Sequence, residues 1–153
     1  MIKQHVAGTV YGVILNDSVA LQRIGSLDEA PYKGAPKAPV LYLKPANTRV
    51  ACGSQVSLPA GADSVEVAAT VGLVIGTAAG RLTPANALQA VAGLVLAADL
   101  SLPHASYYRP AIREKCFDGA LPISSVKPLA DLAGLTLTTE IDGQAVDSRS
   151  LND

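Results

Sequence analysis

Lys115 and Asp118 stand three residues apart in Lys115-Cys116-Phe117-Asp118, a short stretch that holds both an electrophile and a carboxylate. A partly buried lysine can stabilise a developing enolate or carboxylate, and a carboxylate at that spacing can orient it or shuttle a proton. The same pair equally suits a structural ion pair that holds a loop. Upstream, Arg109 offers a planar fork able to bind a substrate carboxylate through two parallel hydrogen bonds, or else to anchor the Tyr107-Tyr108 loop. Asp99 follows an apolar run and precedes Ser101, which by itself is the position of a turn or cap residue. His5 and His104 do not sit at ligand spacing and read as surface or packing residues. G-x-S-x-G is absent, and Gly72, Gly76 and Gly80 recur at every fourth position instead of forming a G-x-G-x-x-G phosphate loop. Cys52 and Cys116 have no CxxC or histidine companion and read as two buried, reduced thiols.

The elements that must carry these residues are mostly strands. Val6 to Leu15 is β-branched and apolar and ends at Asn16-Asp17, a turn signal, so the chain opens with a strand or hairpin. Gly25 to Pro39 is rich in Pro, Gly and charge and reads as an irregular loop. Val40 to Leu43, Val65 to Ile75 and Leu94 to Ala98 are short apolar runs consistent with buried strands. Between the last two, a helix is expected, with Thr83 as its cap, Pro84 in its first turn and Gly93 closing its end. Leu135, Leu137, Thr139 and Ile141 alternate with polar residues up to Asp142-Gly143, which predicts a hairpin with a type I′ turn. The expected fold class is α+β, mostly β: a mixed β-sandwich or roll with a few short helices.

Half of the 153 residues are hydrophobic (49%) and 16% are charged, a composition that supports one domain with a core. Twelve Lys+Arg against thirteen Asp+Glu give a net charge of −1, with the basic residues scattered singly. No nucleic-acid partner is expected from such a pattern. Residues 1 to 8 lack the apolar core of a signal peptide, and Leu82 to Ala98 is too short and too polar to span a bilayer. The expectation is a cytoplasmic chain with no membrane partner.

Three segments in order carry a stronger message: Glu66 to Gly76 (EVAATVGLVIG), Ala92 to Ser101 (AGLVLAADLS) and Lys115 to Ile123 (KCFDGALPI), with Lys44-Pro45 upstream. This frame resembles the fumarylacetoacetate hydrolase superfamily, whose active members read E-x-E-L-x-V-V-I-G, N-D-x-S and K-x-x-D before a Pro-Ile or Pro-Met. Within it, the two-copy isomerase/decarboxylases of homoprotocatechuate (4-hydroxyphenylacetate) breakdown are more similar still. Their N-terminal copy shares counterparts of Ala69-Thr70-Val71, Ser101-Leu102-Pro103, Tyr108-Arg109-Pro110-Ala111-Ile112, Pro31-Tyr32-Lys33 and Lys44 to Thr48. The resemblance runs from about Gly8 to Ala145.

That resemblance implies a divalent metal, Mg or Mn, held by two glutamates and an aspartate and chelating a small 2-oxo or enol dicarboxylate. Registering Val74-Ile75-Gly76 on the family's V-I-G puts Ala68 and Thr70 where the glutamates stand, and only Asp99 remains. Glu66 shares their strand face but lies two residues, roughly 6.6 Å, from the nearer lost ligand, and reads as a solvated glutamate. The family's early histidine is Ala20 here, and the Asn before its aspartate is Ala98. The implied catalytic residues are Asp99, Lys115 and Asp118; the implied substrate-binding residues are Lys44, at the mouth of the site, and Arg109. No metal ligand set and no cofactor are expected for this chain alone.

The implied function is a subunit of a 2-hydroxyhepta-2,4-diene-1,7-dioate isomerase / 5-oxopent-3-ene-1,2,5-tricarboxylate decarboxylase whose own metal site is degenerate. Alternatives are a non-catalytic half that packs against a metal-bearing half, or a relative of the fumarylacetoacetate and acylpyruvate hydrolases. Residues 1–153 are expected to form a single domain lacking the family's C-terminal helix and strand. A homodimer, or a complex with a metal-bearing homologous subunit, is the expected assembly.

Overall fold

The structure, a computed structural model, describes residues 6–30, 32, 34–104 and 111–152. Strand β1 (Val10–Ile14) pairs antiparallel with β2 (Val40–Lys44), in a register that sets Val10 opposite Lys44. Between them, Asp17 caps helix α1 (Ser18–Ile24) by accepting from the Ala20 N–H at 2.5 Å, and Gly25, at φ 76°, closes it. The turn expected at Asn16-Asp17 is present, but the carboxylate also starts a helix that the sequence pattern did not predict. The irregular loop follows as expected.

The main sheet has four strands in the order β3 (Arg49–Ala51), β6 (Leu121–Ile123), β5 (Val91–Ser101) and β4 (Glu66–Ile75). β4 and β5 form a long antiparallel ladder, whereas β3 runs parallel to β6. The two long strands pack the small core of Leu94, Val95, Ala90, Ala120 and Leu121 beside them.

The helix expected after Thr83 does not form. Asn86 Oδ1 accepts from both the backbone N–H and the hydroxyl of Thr83, at 2.7 and 3.2 Å, which pins a tight turn. One 3₁₀ turn, Ala87–Ala90, follows, and β5 then begins at Val91. A helix this short does not recover its nucleation cost, and the ladder with β4 claims the residues that would have lengthened it. Gly93 therefore serves a strand, not a helix end. A side chain there would run into the carbonyl of Lys127, which bridges the neighbouring Leu94 in both directions at 2.8 Å.

The expected hairpin is present as β7 (Thr136–Ile141) and β8 (Gln144–Ser150). Asp142 and Gly143 have φ of 52° and 76°, the two positive values that a type I′ turn requires. Ala68 and Thr70 on β4 lie opposite Asp99 and Ala97 on β5. Directly opposed residues of an antiparallel pair share a face, so Ala68, Thr70 and Asp99 face the same way.

The chain exposes 11086 Å², against roughly 7,300 Å² for a compact monomer of its mass. Leu73 and Ile75 on β4, Leu96 on β5 and Leu88 are all more than half exposed. No helix among the described residues is long and apolar enough to cross a membrane.

Candidate functional site

Period-two alternation along β2 puts Tyr42 and Lys44 on one face, and both side chains end on Asp99. The Tyr42 hydroxyl donates to Asp99 Oδ2. The Lys44 ammonium lies 2.6 Å from Asp99 Oδ1 and donates to the carbonyls of Leu100 (2.7 Å), Lys115 (2.7 Å) and Ala120 (3.1 Å). Lys44 is 1% exposed and Asp99 5%. Lys115, at the end of the short helix α2 (Ile112–Lys115), places its ammonium 3.6 Å from Asp99 Oδ2 and 4.9 Å from the centre of the Tyr42 ring. Its side chain is 21% exposed.

Tyr42, Asp99 and Lys115 form the floor of a cavity of about 710 Å³. It is also lined by β4 residues 67–71, including Ala68 and Thr70, by the β7–β8 hairpin and by the start of α1. Arg149 of β8 ties those last two together. Its guanidinium reaches Asp17 at 3.4 Å and Asp147 at 2.7 Å, so it enters the cavity already matched by two carboxylates.

Burial, the hydrogen bond to Asp99 and that carboxylate's charge together hold the Tyr42 phenol well above the ordinary tyrosine range. Burial pulls the Lys44 ammonium below the usual lysine range, with Asp99 opposing the shift and Lys115 adding to it. These shifts have opposite consequences at alkaline pH. Above pH 10.0 the unfolded chain gives up the Tyr42 proton while the folded chain keeps it, so stability present below that pH declines as pH rises. For Lys44, the unfolded chain keeps its proton up to about 10.5 while the folded chain releases it earlier, so stability rises through that window. Tyr42→Phe leaves Lys44 in place and isolates the first effect. Urea unfolding from about pH 9 to about pH 11 is expected to show wild type losing ground against the variant. Parallel curves would contradict the buried phenol.

The structure brings Asp99, Lys115 and Lys44 together and separates Asp118 from them. Lys44 is not at the mouth of the site. It lies beneath the floor, because three carbonyls and the Asp99 carboxylate converge on its ammonium, and it cannot touch a ligand in the cavity. Asp118 is exposed and accepts from the Asn47 amide at 2.7 Å, away from Lys115. Asn47 also donates to the Cys116 carbonyl at 3.0 Å, and this bracing of the loop fixes where the carboxylate points. Arg109 and His5 fall outside the described residues, and His104 contacts the Leu102 carbonyl at 3.2 Å. Glu66 is exposed opposite Ser101, in keeping with a solvated glutamate. Both cysteines are free, but Cys52 is exposed and Cys116 half-buried, because the turn after β3 carries Cys52 to the surface.

Tyr42 is the residue that sequence reasoning missed. Its signal was present, since period two aligns it with Lys44 in a strand next to the site.

The residues present do not fit a hard divalent cation. Mg²⁺ or Mn²⁺ calls for several oxygen ligands with carboxylates among them, and no group of three His, Cys, Asp or Glu occurs among the described residues. Asp99 Oδ1 is the carboxylate oxygen without an aligned hydrogen-bond donor, and it already lies against the Lys44 ammonium. A metal there would meet one carboxylate and two positive charges.

Comparison with known proteins agrees with this architecture. The chain is 40% identical over 141 residues to the 4-hydroxyphenylacetate degradation bifunctional isomerase/decarboxylase of Escherichia coli, covering 92% of this chain and 33% of that protein. It spans about a third of the length of three curated bifunctional isomerase/decarboxylases that it matches. Among solved structures, the 2-hydroxyhepta-2,4-diene-1,7-dioate isomerase of Mycobacterium marinum superposes with a TM-score of 0.67 at 28% identity, over 74% of this chain and 46% of that one. The fumarylpyruvate hydrolase of Pseudomonas aeruginosa, solved with Mn²⁺ and pyruvate, shares the fold with a TM-score of 0.72 at 21% identity, over 93% of this chain and 64% of that one. The family described as fumarylacetoacetate (FAA) hydrolase C-terminal matches residues 9–153. The mostly-β mixed fold, the shared frame of motifs and the match over nearly the whole chain lead to one conclusion: this chain belongs to the fumarylacetoacetate hydrolase family.

Proposed function

We propose that the chain is one half of an isomerase/decarboxylase system of aromatic (4-hydroxyphenylacetate) catabolism, with its own metal site degenerate. The observation that carries this reading is the pairing of Ala68 with Asp99 and of Thr70 with Ala97. Two small, uncharged side chains stand beside the one carboxylate on the shared strand face. Residues 1–153 act in this reading as a single domain in the cytoplasm, packed against a metal-bearing homologous half or a second copy. The surface in excess of a compact monomer and the exposed apolar residues of β4 and β5 support a covering partner. The substrate of the assembled system would be a 2-oxo or enol dicarboxylate, isomerised or decarboxylated through an enolate.

Titration calorimetry of the purified chain with Mn²⁺ tests the degenerate site. Binding is expected to be weaker than about millimolar, as for a lone carboxylate already faced by ammonium groups. A stoichiometric micromolar site would overturn the reading.

A further inference from the structure

We propose that Lys115 stands in for the divalent cation, so that the Tyr42–Asp99–Lys115 floor receives the carboxylate of a 2-oxo or enol acid directly, without metal. This inference rests on the degenerate-site reading and names the ligand that the altered site takes.

The charges on the floor carry the argument. Asp99 contributes one negative charge, and Lys44 and Lys115 one positive charge each. Lys44 is buried, its three N–H bonds go to three carbonyls and its charge lies 2.6 Å from Asp99 Oδ1, so it has nothing left to offer a ligand. Lys44 and Asp99 cancel. The Lys115 charge is therefore surplus, and it projects into the cavity. Among the described residues its ammonium has no hydrogen bond. Its neighbours are an ion contact at 3.6 Å and an aromatic face at 4.9 Å. A cation in a partly desolvated cavity with unused donors attracts an anion and repels a second cation.

The surroundings narrow the anion. One surplus charge beside a carboxylate matches a monoanion better than a doubly charged phosphate. The Tyr42 hydroxyl directs its one O–H to Asp99 as a hydrogen bond, so its oxygen is left as an acceptor at the cavity floor. An enol hydroxyl next to a carboxylate supplies that donor, and the carboxylate itself falls to Lys115. The second cation of the cavity, Arg149, is matched by Asp17 and Asp147 and does not compete for the ligand.

The test is calorimetry of the whole chain, in EDTA and then in Mn²⁺, titrated with pyruvate, whose carboxylate Lys115 would hold. Pyruvate is expected to bind in EDTA and no more tightly when Mn²⁺ replaces EDTA. Lys115→Met is expected to weaken pyruvate about ten- to a hundredfold, the effect of losing a charge-assisted hydrogen bond. Lys115→Arg is expected to restore much of the affinity, and thermal melts check that both variants fold. Pyruvate binding that Lys115→Met leaves unchanged would overturn the inference. So would an absence of pyruvate binding in both EDTA and Mn²⁺, although the degenerate-site reading would then survive. Pyruvate binding that requires Mn²⁺ would overturn both.

Discussion

Lys44→Met is expected to destabilise the chain by about 3–5 kcal/mol, the cost typical of breaking a buried ion pair from one side. The lysine is 1% exposed, and its ammonium satisfies Asp99 and the carbonyls of Leu100, Lys115 and Ala120 together. Methionine fills a similar volume but leaves three carbonyls without their donor and the Asp99 carboxylate without its nearest positive charge. Urea unfolding measures the loss as a lower midpoint at an unchanged slope. Adding Asp99→Asn to Lys44→Met is expected to recover part of it, because the uncompensated charge is then gone. A loss below about 1 kcal/mol, the range of an exposed ion pair, would contradict the burial described for Lys44.

Ala68→Glu combined with Thr70→Glu is expected to create a divalent-metal site where wild type has none of useful strength. On β4 both positions face the same way as Asp99, and Cβ atoms of directly opposed residues lie about 4.5–5.5 Å apart. Two added carboxylates would bring the floor to three, against two ammonium groups, and Lys115 is exposed enough to swing toward solvent. Mn²⁺ affinity should move from millimolar or weaker to micromolar, a thousandfold gain equivalent to about 4 kcal/mol. Each single substitution should give much less. Failure of the folded double variant to bind Mn²⁺ in calorimetry would refute the assignment of these positions.

Those two variants mark what the sequence made legible. The register of β4 was readable because V-I-G fixes it and strand alternation then determines which residues share a face. The β7–β8 hairpin was equally legible, since Asp142-Gly143 specifies its turn chemically. Asp99 and Lys115 were each marked by the family frame, although their contact with one another was not. The depth of Lys44 was not legible. The resemblance put this lysine at the mouth of the site, and the carbonyls that bury it come from segments that no local pattern connects to β2. Asp118 shows the same limit from the other side. Its spacing from Lys115 suggested partnership, but Asn47, from a distant turn, holds it. The expected helix before β5 failed for a related reason, since cross-strand pairing overrode good capping signals.

The reach of Lys44 also bears on the order in which the chain folds. Its three carbonyl partners lie 56, 71 and 76 residues farther along the chain. Contacts of such separation incur the loop-closure entropy before they return any energy. β4, β5 and the turn leading into β6 must therefore be in place before this ammonium can leave water at an acceptable cost. The floor of the cavity is a late closure, and its geometry registers whether the long-range assembly of the domain is complete.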